Sequence, residues 1–251
     1  NPTDRVNVAG AGHLAYTPAA QEQARLTVRA LQADARQEIA QQQFALTVEH
    51  RDDNVQPQVN LTLTGGFQPG HIYELIYQAQ DPVLSGAGLA GIRDIISAIR
   101  QQDDALDELD IPAISNTIAW GYSQSGRLLR QFLYQGFNAD LQGNQVLDGV
   151  VPLISGAGFG MFNLRFAMPT RTNGQHENDR YPNDFFPFTY GDSVDPFSGR
   201  RDGILKKARE SGTEPKLMHI QTTNEYWLRA GSLPHTDPLG QQDADIPDNV
   251  R

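Results

Sequence analysis

The run Thr117-Ile118-Ala119-Trp120-Gly121-Tyr122-Ser123-Gln124-Ser125-Gly126-Arg127-Leu128-Leu129-Arg130 constrains this chain more than any other stretch. It reads as a short apolar strand, a tight turn with a serine at its tip, and a helix that begins at once. That is the layout of a nucleophile elbow, in which a strained strand-to-helix turn lifts a serine hydroxyl clear of a sheet. The pattern asks for Gly-x-Ser-x-Gly; here it is Gly121-x-Ser123-x-Ser125, with Gly126 one position late. Small residues flank such a serine because the turn packs strand against helix, and Ser125 is small enough to serve. The helix start sets backbone N–H groups beside the serine, where an oxyanion would develop, and the N–H of Gln124 is the first such donor.

The rest of the chain has to be compatible with that turn. With 251 residues it is long enough for a sizeable core. Charged residues make up 20% and hydrophobic ones 39%, which is the balance of a globular protein rather than a disordered one. The net charge of −10 argues against binding a phosphate backbone, so no nucleic-acid partner is expected. No apolar run approaches the roughly 20 residues of a membrane span. The absence of cysteine removes disulfides, thiolate metal sites and thiol nucleophiles together. The start at Asn1-Pro2-Thr3 reads as that of a processed or excised piece of a longer protein.

In chain order, residues 1–20 form an irregular lead-in. Residues 20–43 are rich in the helix formers Gln, Ala and Arg, although Leu26-Thr27-Val28 reads equally well as a strand. Phe44 to Val48 and Val59 to Thr64 alternate as strands, and His71 to Tyr77 follows after a glycine-rich turn, so that 59–76 resembles a hairpin. Leu89, Ile92, Ile95, Ile96 and Ile99 lie at helical spacing and predict one buried helix face. After the elbow helix comes a buried strand within Val146 to Ser155. Residues 160–200, rich in Phe, Pro, Asn and Asp, read as a lid-like insertion. A short helix ending Lys206-Lys207-Ala208-Arg209 and a strand over Lys216 to Gln221 complete the pattern. Strands alternating with helices imply a mainly parallel sheet covered on both faces.

Two other features compete for attention. Gly86-x-Gly88-x-x-Gly91 fits a dinucleotide fingerprint, but no strand runs straight into the first glycine and no ribose-binding carboxylate closes a following strand. These glycines are read as allowing close packing at a helix start, and no cofactor is expected. The carboxylates of Asp192 to Asp202 and Asp243 to Asp248 do not match a calcium loop and read as solvated acidic turns, so no metal site is assigned.

A serine nucleophile needs a base, and the base an orienting acid. In the order serine, acid, histidine, the acid follows the strand after the insertion. Glu225 stands there, with Asp237 as runner-up. Among the histidines, His235 is the one downstream of Glu225, though it precedes any further strand; His219 sits within a strand and reads as satisfied there.

The motifs are also familiar as a set. Gly121 to Tyr134 with Gly136-Phe137-Asn138 resemble the bacterial alpha/beta hydrolase domain-containing family. So do Gly65-Gly66-Phe67, Tyr73 to Tyr77, Arg93-Asp94, Phe162 to Phe166, Phe186 to Tyr190, Glu225-Tyr226-Trp227 and His235-Thr236-Asp237-Pro238. The likeness spans roughly residues 65–251. It implies an α/β-hydrolase fold with Ser123 as nucleophile, and it implies a further strand and a histidine-bearing segment beyond Arg251, in which case His235 is not the base.

The expectation is therefore a single α/β-hydrolase domain over 1–251, with a mainly parallel sheet and helices on both faces. Its expected activity is that of a serine esterase acting on a small-molecule ester, with Ser123 and Glu225 in the reaction and Gln124 in the oxyanion hole. The second oxyanion donor would come from the Gln78–Gly88 loop. The alternative is an α/β-hydrolase-fold binding domain that lacks the histidine.

Overall fold

The computed structural model describes residues 4–8, 16–49, 58–81, 87–160 and 185–251. Where a single domain was expected, the chain gathers into two compact units, one of which holds the described residues up to Asp81 and the other those from Ala87 onward.

The described strands of the first unit all pair antiparallel. Its strands are β1 (Arg5–Asn7), β2 (Thr17–Pro18), β3 (Arg25–Arg29), β4 (Gln37–Ile39), β5 (Phe44–Glu49), β6 (Gln58–Leu63), β7 (Ile72–Ile76) and β8 (Ala79–Gln80). They form the sheets β1-β6-β5 and β4-β3-β7 and the pair β2-β8. Leu26 of β3 shares one core with Phe44 and Leu46 of β5 and with Val59, Leu61 and Leu63 of β6. Two readings change here. Residues 20–43 form no α-helix: cross-strand pairing of Leu26 with Leu75 and Ile39 outweighs the helix propensity of the surrounding Gln, Ala and Arg. Nor is 59–76 a hairpin. Gly65, Gly66 and Gly70 at positive φ lead the chain from β6, which pairs with β5, to β7, which pairs with β3 in the other sheet.

The second unit carries the parallel sheet. Its elements are α1 (Ala87–Gln101), β9 (Ile118–Tyr122), α2 (Gln124–Tyr134), β10 (Gly149–Leu153), β11 (Ser193–Val194), β12 (Arg201–Asp202), α3 (Lys206–Ser211), β13 (Lys216–Leu217) and α4 (Thr223–Leu228). β10 lies between β9 and β13, parallel to both, with Pro152 opposite Gly121 and Leu153 opposite Tyr122. Val250 extends the order with a parallel bridge to Leu217. The mainly parallel sheet of the sequence reading thus holds for this unit, while the described strands of the first unit pair antiparallel.

The core of this unit joins Phe132 and Leu133 of α2, Val150 of β10, Phe159, Tyr190, Ile204, Leu205 and Leu217, all nearly or fully buried. Alternate residues of β9 behave differently. Ala119 packs on the core, whereas Ile118, Trp120 and Tyr122 are exposed, so this face of the strand is not covered as expected. In α1, Leu89 is buried and Ile96 packs on the core, but Ile92 and Ile95 are exposed. The helix therefore buries a narrower stripe than its isoleucines predict. A Cβ added to Gly88 or Gly91 would meet nothing within 4 Å, so close packing is not why α1 has glycines. The expected insertion lies largely outside the described residues; its described end includes β11, which pairs with β12 just beyond it.

Candidate functional site

Ser123 is the single residue between β9 and α2. It takes φ 55° and ψ −112°, a region that costs a non-glycine residue of order 1–3 kcal/mol. The conformation is held from both sides. The Ser123 N–H donates to Leu153 O at 2.8 Å, and the N–H of Arg127 donates to Ser123 O at 3.1 Å, which starts the helix. Gln124 is the first helical residue, so its N–H has no carbonyl acceptor within α2 and points with the positive end of the helix.

The small residues of the motif fall where contact is closest. A Cβ on Gly121 would lie 2.5 Å from Ser125 O, and one on Gly126 would lie 2.9 Å from both Gly121 O and the Ser155 Cβ. Ser125 itself is exposed. The glycine one position late is therefore the one on which the turn closes, and the serine at the motif position faces outward.

Ser123 borders a cavity of about 330 Å³ whose wall includes Glu225, Ser155, Arg127, Asn224 and Arg229. The structure thus brings the expected nucleophile and the expected acid to one pocket. Glu225 lies on α4 and closes its first turn: its carboxylate accepts from the Thr222 N–H at 3.2 Å and from the Thr222 hydroxyl. The Thr222 hydroxyl contact holds its pKa below the usual carboxylate range, against burial, which acts to raise it. Asp237, the runner-up acid, instead accepts from the Gln241 N–H at 2.7 Å in a turn and does not line the cavity.

The histidines divide. His219 is satisfied, as expected, although β13 ends at Leu217 and leaves it outside the strand: Nε2 lies 3.0 Å from Ser155 Oγ and Nδ1 2.8 Å from the Tyr190 hydroxyl. Burial first, then the charges of Arg130 and His235, push its pKa down to about 3, so the ring is neutral. Ser155 Oγ also lies 3.0 Å from Gly156 O, to which it donates, so that Nε2–H donates to Ser155 and the Tyr190 hydroxyl donates to Nδ1. His235 stacks on Tyr226 with ring centroids 5.8 Å apart. Among the described residues no histidine is hydrogen-bonded to Ser123 or Glu225. The Gln78–Gly88 loop, expected to bring a second oxyanion donor, lies in part outside the described residues.

Sequence reading missed Arg130. Its side chain is fully buried on α2, with the guanidinium 5.0 Å from the Tyr190 ring centroid. Nη2 donates to Ala157 O at 3.0 Å and Phe188 O at 2.7 Å, and among the described residues no carboxylate pairs with it. It ties the elbow helix to the loop after β10 and to the segment before Tyr190. The available signal was its helical position: Arg130 follows Gly126 and precedes Leu133, on the buried side of α2.

A family model described as "Alpha/beta hydrolase domain" matches residues 60–251, and the chain belongs to that family. Comparison with curated proteins and with solved structures gave no match. Among the described residues no helix is long and apolar enough to cross a membrane.

Proposed function

We propose that this member of the alpha/beta hydrolase domain family is a serine hydrolase that cleaves small carboxylic esters through an acyl-enzyme. The observation that carries the reading is the position of Ser123: a strained residue at the N-terminus of α2, bordering the same cavity as a buried carboxylate. Ser123 Oγ attacks the acyl carbon, and a histidine takes its proton and passes it to the departing alcohol. Glu225 orients that histidine, and the Gln124 N–H with a second backbone donor stabilises the oxyanion. Within the described residues His235 is the candidate base, since its ring stacks on Tyr226, the neighbour of Glu225.

A fluorophosphonate probe tests the reading. It labels Ser123 in the folded protein, and Ser123→Ala abolishes the labelling. A folded wild-type protein that stays unlabelled refutes it. The chain would then be an α/β-hydrolase-fold binding domain, the reading favoured by the lack, among the described residues, of a histidine hydrogen-bonded to Ser123.

A further inference from the structure

We propose that Arg130, buried behind the cavity, supplies a positive field that favours the oxyanion formed on Ser123, and that Tyr190, His219 and Ser155 carry its polarity to the cavity wall. This rests on the hydrolase reading of Ser123. Arg130 is 0% exposed, and its Nε and Nη1 have no hydrogen-bond partner. Nη2 meets two neutral carbonyls, and among the described residues no carboxylate pairs with the guanidinium. A buried charge without a counter-ion costs stability, and its field is not cancelled at short range.

Its place on α2 suits that role. Arg130 stands about two turns beyond Ser123, so it lies on the same side of the helix at an axial distance of ~10 Å. Gly126 lies between them on that side, where a Cβ would be 2.9 Å from the Ser155 Cβ. A chain of hydrogen bonds runs along the same side. The guanidinium lies 5.0 Å from the Tyr190 ring centroid. Burial raises the pKa of the Tyr190 hydroxyl, with the Arg130 charge acting against it, so Tyr190 stays a phenol and donates to His219 Nδ1 at 2.8 Å. The neutral His219 ring in turn donates from Nε2 to Ser155 Oγ at 3.0 Å, and Ser155 borders the cavity with Ser123. Each of these donors points away from the guanidinium, the sense in which a cation polarises such a chain. Arg130 is thus a positioning residue that touches no substrate. Glu225 stands on the same cavity wall, so the oxyanion is a second negative charge there, and Arg130 offsets it. In the reaction, Ser123 Oγ bonds to the acyl carbon and the carbonyl oxygen takes up the negative charge. The serine proton passes to the base and leaves with the alcohol as that charge collapses, and water then cleaves the acyl-enzyme through a second oxyanion.

The test is the kinetics of fluorophosphonate labelling, in which the phosphoryl oxygen gains negative charge as Ser123 attacks. Arg130→Met removes the charge and keeps an apolar stem. Its kinact falls about tenfold, the effect of a unit charge at ~10 Å in an effective dielectric of ~20, while KI is unchanged. Arg130→Lys keeps the charge and recovers most of the loss. Each variant is checked for folding by circular dichroism. A wild-type kinact in a folded Arg130→Met, a loss confined to KI, or an equal loss in folded methionine and lysine variants overturns the inference and leaves the hydrolase reading intact. If Arg130→Met does not fold, Tyr190→Phe decides, because it keeps the ring beside the guanidinium and removes the donor to His219. A slower kinact at unchanged KI in that variant supports the inference, and a wild-type kinact overturns it. A folded wild-type protein that stays unlabelled removes the hydrolase reading and this inference with it.

Discussion

Gly121 and Gly126 close on each other across the serine turn: a Cβ on Gly126 would lie 2.9 Å from Gly121 O, and one on Gly121 would lie 2.8 Å from Gly126 N. This contact fixes the spacing between the end of β9 and the first turn of α2. It also explains why the motif tolerates a serine at 125, a position that faces solvent.

Gly126→Ala forces backbone to move on two sides and is expected to destabilise the protein by about 1–3 kcal/mol while slowing the labelling of Ser123. Ser125→Gly, which restores the common motif spelling, is expected to cost only the helix penalty, on the order of 0.5 kcal/mol, with labelling retained. Urea denaturation and labelling rates for both variants provide the check, and a tolerant Gly126→Ala would contradict the packing account.

The strain at Ser123 gives a second expectation. Ser123→Gly adopts φ 55° without the side-chain penalty, so it is expected to raise stability by about 1 kcal/mol while abolishing labelling. Thermal denaturation of the glycine and alanine variants separates relief of backbone strain from simple loss of the hydroxyl: the glycine variant should melt higher than the alanine one.

Glu225 carries two separable duties. Glu225→Ala removes the carboxylate that accepts from Thr222 and is expected to cost about 1 kcal/mol. Glu225→Gln keeps an acceptor for that cap, so its stability should stay within about 0.5 kcal/mol of wild type. If Glu225 orients a base, Glu225→Gln still slows labelling by about tenfold or more. Unchanged labelling in the glutamine variant would confine the residue to its cap.

His219 predicts a pH dependence of stability. Its folded-state pKa is about 3 against 6.5 for an unperturbed ring, so between those values the unfolded chain binds a proton that the folded one does not. Stability is therefore lost as pH falls through 6.5 toward 3, by up to about 1.4 kcal/mol per pH unit. Asp140 acts lower. Burial opposes its ionisation, but the Ser97 hydroxyl and the Asn144 contacts hold its pKa at about 2, so its contribution is lost between 3.8 and 2. Denaturation midpoints at pH 4.5 to 7 should flatten in His219→Asn; an unchanged slope would show that another group titrates.

The sequence by itself determined the local order of the elbow, because strand, tight turn and helix follow from apolar alternation, small residues and helix spacing within about fourteen positions. It also placed Glu225 after the last parallel strand, since chain order in such a sheet fixes where an acid can stand. Partnership between distant segments was not legible. The burial of Arg130 against Tyr190, the pairing of β3 with β7 rather than β6 with β7, and the open face of Ile118, Trp120 and Tyr122 depend on what packs where, which periodicity does not encode. Only the tertiary structure decided that Gly126 rather than Ser125 closes the turn, because that requires knowing which backbone atoms lie opposite an absent Cβ. It alone also set Arg229 on the cavity wall, through contact of its backbone with Gly156, a residue remote in the chain.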